Sequence, residues 1–185
     1  MELPEVLKSI DNAFVGTVRD EECTLHQAQF ADHFGDQELT EAEWNAKWEA
    51  EKLRDPETDW RDIPPGALDE CDAAQSHASP ESWHFYLPAY MRRALDLLDA
   101  DLWSEDLPGS VIFHLTYRDG SRGYLLERFT KLNEAQQGAV VAFLEYVRDY
   151  PSKERWNSRS AAEALASYWA LPAAKRPTGQ IIIAD

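Results

Sequence analysis

The sequence is short of several things at once. It has two cysteines, Cys23 and Cys71, two methionines and eight glycines in 185 residues. Two thiols cannot build a disulfide framework, so a small secreted scaffold is excluded and free thiols in a reducing compartment are expected. No apolar run approaches the roughly 20 residues that span a bilayer. The longest near an end is Ile181-Ile182-Ile183-Ala184. The opening, MELPEVLKSI, reads as the start of an amphipathic helix and not as a signal peptide. A cytoplasmic protein without membrane contact is the expectation. Positive charge is scarce too: 18 Lys and Arg face 34 Asp and Glu, for a net charge of -16. That balance repels nucleic acid and anionic lipid and steers basic partners in. Catalytic signatures are also missing: there is no G-x-S-x-G, P-loop, G-x-G-x-x-G or H-E-x-x-H.

What is present suits a folded core. Apolar residues make up 44% and aromatics 11%, with seven tryptophans, which argues against disorder and for one domain over 1–185. The acidity is uneven. Residues 1–106 hold 26 Asp and Glu against eight Lys and Arg, a net of -18, whereas residues 107–185 hold eight against ten, a net of +2.

Apolar spacing predicts helices through most of the chain. Val6, Leu7, Ile10 and Phe14 mark one over 4–15, ended by Gly16. Thr24-Leu25-His26-Gln27 and Thr40-Glu41-Ala42-Glu43 have the capping-box form and open helices to about Phe34 and through Leu53. Pro64 and Pro65 start a short helix carrying Leu68, Cys71 and Ala74. Ser79-Pro80-Glu81 caps the most apolar helix, 80–98, which Pro88 should kink. Val111 to Tyr117 is rich in β-formers and precedes an Asp-Gly turn, so a hairpin near 111–129 competes with a short helix at 110–116. Asn133-Glu134-Ala135-Gln136 caps another helix that Pro151 ends, and Ser160 caps a last one closed by Pro172. The fold class is thus mainly α, a single domain of about six to seven helices around the 80–98 helix.

Chemistry-bearing residues do not converge in the sequence. Cys23 and His26 form one C-x-x-H pair, and Cys71, His33, His77, His84 and His114 are scattered, whereas a zinc site needs four ligands. Buried thiols and surface histidines are the simpler reading, with no metal and no cofactor. Acids beside both cysteines raise their pKa and spoil them as nucleophiles. Asp59-Trp60-Arg61-Asp62-Ile63-Pro64-Pro65 can be a stiff loop presenting Trp60 as a contact anchor, or Trp60 can plug the core. Trp83 to Met91, at helical spacing, reads as core and not as a ligand box.

Trp60-Arg61-Asp62-Ile63-Pro64, Leu68, Asp72-Ala73, Ser79-Pro80-Glu81 and Phe85-Tyr86-Leu87-Pro88-Ala89-Tyr90-Met91 resemble a bacterial family known as domain of unknown function 6714. Leu132-Asn133-Glu134-Ala135-Gln136-Gln137 with Val140 and Phe143-Leu144 is similar to its C-terminal helix, and the likeness is strongest over 55–148. The resemblance implies a small helical bacterial protein and supplies no catalytic residues. By size and charge alone, the chain is analogous to bacterial immunity proteins. The expectation is therefore a non-enzymatic, cytoplasmic immunity protein whose partner is a cognate protein toxin with a basic cleft. Its partner-binding residues would be Glu41, Glu43, Glu49, Glu51, Asp55, Glu57, Asp59, Trp60 and Asp62. A housekeeping adaptor or scaffold is the alternative, and a metal-dependent enzyme a third.

Overall fold

A computed structural model describes residues 1–21, 23–32, 39–100, 107–118, 122–151 and 155–177. Ten α-helices and no strand are found among these residues. They fall into two compact units, Phe14–Val111 on one side and Met1–Ala13 with Ile112–Asp185 on the other.

In the unit of residues 14–111, α2 (Leu25–Asp32) packs against α3 (Glu41–Lys52) and α5 (Ala74–His77). The 3-10 turn Trp60–Asp62 and α4 (Pro65–Glu70) pack on α6 (Pro80–Asp99). The proline at N1 of α4 and of α6 sits where no intrahelical N–H is needed. Ser79 Oγ accepts from Ser82 N at 3.0 Å as the cap of α6. Every residue from Trp83 to Met91 except His84 is buried, so this segment is core, as its spacing indicates. The helix runs through Pro88 to Asp99.

The other unit holds α1 (Leu3–Ala13), α8 (Arg122–Phe129), α9 (Glu134–Asp149) and α10 (Arg155–Ala164). Val6 and Ile10 bury one face of α1, and Gly16, at φ +76°, follows its end in the left-handed conformation that glycine adopts without cost. α9 opens with a reciprocal cap between Asn133 and Gln136 and packs against both α1 and α10. Beyond Ala164 the chain widens into a π turn, Leu165–Trp169. Tyr168 and Trp169 are both buried against Phe129, at ring separations of 4.9 and 4.6 Å.

Three sequence expectations are corrected. The hairpin near 111–129 is two helices, α7 (Leu107–Leu115) and α8. Leu107, Val111, Ile112 and Leu115 are buried, as are Leu125, Leu126 and Phe129. Those intervals follow a helical turn, so burial overrode the local β-propensity. The Asp-Gly of the expected turn lies outside the described residues. The last helix starts at Arg155, not at Ser160, which is inside it. And the helices number ten among the described residues where six to seven are expected, partly because one short helix after Pro64 is split into α4 and α5 by a turn at Cys71–Ala73.

Candidate functional site

α3 is the unusual helix. It is twelve residues long and buries none of them. A helix without a buried stripe is marginal in water, so something else must hold it. Two devices do. Thr40 and Glu43 close the capping box: Thr40 N donates to Glu43 Oε2 at 2.9 Å, and Glu43 N to Thr40 Oγ1 at 3.4 Å. One edge of the helix then stacks on α2, with the Phe30 and Trp44 rings 4.3 Å apart and Trp44 and Trp48 6.2 Å apart. Gln27 Nε2 donates to the Trp48 carbonyl at 3.0 Å, and Lys52 Nζ to that of Glu21 at 2.7 Å. Trp44, Trp48, Glu51 and Lys52 are half-buried and the rest of α3 is exposed.

The chain after α3 is tied down by a buried hydrogen-bonded pair, His26 and Asp55. The side chains of His26 and Asp55 are 5% and 4% exposed. His26 donates its backbone N–H to Asp55 Oδ2 at 2.8 Å, and its Nδ1 lies 2.6 Å from Oδ1. Asp55 thus also accepts from the first turn of α2, where a carboxylate complements the helix dipole. Burial alone would raise its pKa, but hydrogen bonding to His26 and Thr24 together outweighs that and holds it below 3.8. Arg19 donates Nη1 to the Asp55 carbonyl, and to that of Glu57 at 3.0 Å. The far nitrogen of His26, Nε2, is buried without a hydrogen bond, 3.9 Å from Glu70 Oε2.

An acid-oriented histidine is half of a nucleophilic apparatus. The Cys71 thiol does not complete it. Burial, then Asp55 and Glu70, push the Cys71 thiol up to about 12. The sequence foresaw the sign, but burial is the larger cause. Among the described residues no three His, Cys, Asp or Glu side chains are grouped to hold a metal ion. Cys23 and Cys71 are both buried. His26 and His114 are buried as well, contrary to the expectation of surface histidines; His77 lies on the surface with Asp32 at 3.0 Å, and His33 lies outside the described residues.

The nine expected contact residues separate into two groups. Trp60 is buried, its Nε1 donating to the Phe14 carbonyl at 3.0 Å, so it plugs the core. Asp55 is buried with His26. Glu43 serves the capping box, and Glu51 pairs with Arg54 at 3.0 Å. Asp59 caps the 3-10 turn and is gripped by Arg61; that bond is the largest cause lowering its carboxyl to about 2. Glu41, Glu49, Glu57 and Asp62 make no ion pair among the described residues, and Glu41, Glu49 and Asp62 are exposed. At 100° per residue, Glu41 and Glu49 stand about 80° apart around α3. The His26–Asp55 pairing spans 29 residues and had no local signal in the sequence.

A family model described as "Family of unknown function (DUF6714)" matches residues 2–173, extending the likeness at both ends. No curated protein and no solved structure matches the chain.

Proposed function

We propose that this chain, which belongs to the DUF6714 family, is a non-enzymatic binding protein that neutralises a cognate toxin, with α3 as the docking element. The observation that carries this reading is the pairing of a surface helix that buries nothing with two acids, Glu41 and Glu49, that no ion pair among the described residues engages. A helix stacked on α2 and capped costs little ordering entropy when it docks. The charge around it favours a basic cleft and fast, steered association. Binding would block the cleft sterically and electrostatically, without chemistry.

The test is co-purification with the product of the neighbouring gene at low salt, joined to a protection assay in cells. Retention of the partner and rescue from toxicity are expected. Doubly substituting Glu41→Lys and Glu49→Lys should slow association by about tenfold at low salt and much less at 0.5 M. No retained partner and no protection would refute the reading.

A further inference from the structure

Residues 14–111 contain only seven Lys and Arg. Three of them, Arg61, Arg92 and Arg93, line a single groove of about 200 Å³ between the 3-10 turn, α4 and α6. Its floor is apolar, formed by Trp60, Ile63 and Leu68, and Asp96 is the one acid among the described residues that line it. The two strings that carried the family resemblance, Trp60 to Pro64 and Phe85 to Met91, both contribute.

Two of these arginines are held in place. Arg93 grips Asp69 through Nε and Nη2 at 2.8 and 2.7 Å, and Arg61 grips Asp59 through Nε at 2.9 Å. Fixed guanidinium planes beside an apolar floor form a preorganised wall for a planar anion. A cavity of roughly 150 Å³ accepts a benzene ring, so this groove takes a ring with a short acidic arm. The surrounding charge decides which acid. A phosphate brings nearly two negative charges into a unit of net -16, whereas a carboxylate brings one. We propose that this groove binds a small aromatic or aliphatic monocarboxylate. The inference stands apart from the docking role of α3.

The probes are phenylacetate, phenyl phosphate and benzylamine, titrated into the full chain and followed by two-dimensional NMR. Phenylacetate should shift the Trp60 indole N–H and the amides of 61–68 and 89–96 saturably, with millimolar affinity for about ten heavy atoms. Benzylamine should leave them unmoved, and phenyl phosphate should bind several-fold more weakly. Arg92→Gln should weaken phenylacetate about tenfold. Arg61→Gln, at a half-exposed side chain, should weaken it several-fold and guards against a folding failure of the first variant. Equal binding of benzylamine, tighter binding of phenyl phosphate, shifts elsewhere, or parental affinity in a folded variant would each overturn the proposal.

Discussion

Residues 14–111 carry 23 Asp and Glu against seven Lys and Arg, while the unit of Met1–Ala13 and Ile112–Asp185 carries 11 of each. Their interiors do not differ in that way. Each buries a tryptophan whose indole N–H reaches a backbone carbonyl, Trp60 to Phe14 and Trp169 to Leu115 at 2.7 Å. Each also buries an ionic side chain, of opposite sign: Asp55 in the acidic unit and Arg128, 3.8 Å over the Tyr124 ring, in the neutral one. Asp55 is the only buried acid among the described residues. Among the described residues the other acids of residues 14–111 therefore lie outside the buried core, and their excess is not a by-product of how that core is built.

The largest effects should be alike in the two units. Trp60→Ala and Trp169→Ala each remove a buried ring and strand a carbonyl, at a cost of about 3–5 kcal/mol. Urea unfolding at neutral pH measures both. A loss under about 1 kcal/mol in either would break the likeness of the two cores.

Acid should then separate the units. Asp55→Ala leaves the buried N and Nδ1 of His26 without their partner and costs about 1–3 kcal/mol. Because the folded Asp55 carboxyl sits below its ordinary 3.8, its contribution is full above that value and is lost as pH falls through the lowered one. The parent should thus lose stability below about pH 4, and Asp55→Asn should show a shallower acid slope over that window. In the neutral unit Asp149 is lowered at the surface by its bond from Arg148, where the effect is small. Equal acid slopes in Asp55→Asn and parent would remove the role given to this pair.

Much of this fold was legible locally. The Thr40–Glu43 and Asn133–Gln136 caps, the proline-led starts of α4 and α6, and the core stripe of α6 are all short-range signals, and the structure carries each of them. What failed was what depends on distant partners. The β-formers of 111–117 became helix because Val111, Ile112 and Leu115 found a core to fill. The candidate surface was half legible for the same reason. Sequence marks Glu41 and Glu49 as acidic, but only the fold shows that Asp55 is committed to His26 and Trp60 to Phe14.

The smallest predicted effect is the sharpest comparison, because one motif occurs in both units. Thr40→Ala and Asn133→Ala each delete a cap, worth about 1 kcal/mol in general. α9 buries seven residues and α3 none. Loosening the start of α9 exposes core, so Asn133→Ala should lower global stability by nearly the full amount. Loosening α3 exposes little, so Thr40→Ala should fray that helix locally while global unfolding hardly moves. Amide exchange distinguishes the two: the protection lost in Thr40→Ala should be confined to α3, and that lost in Asn133→Ala should extend through the helices packed on α9. If Thr40→Ala lowered global stability as much as Asn133→Ala, α3 would be an integral part of the core and its assignment as a docking element would fall.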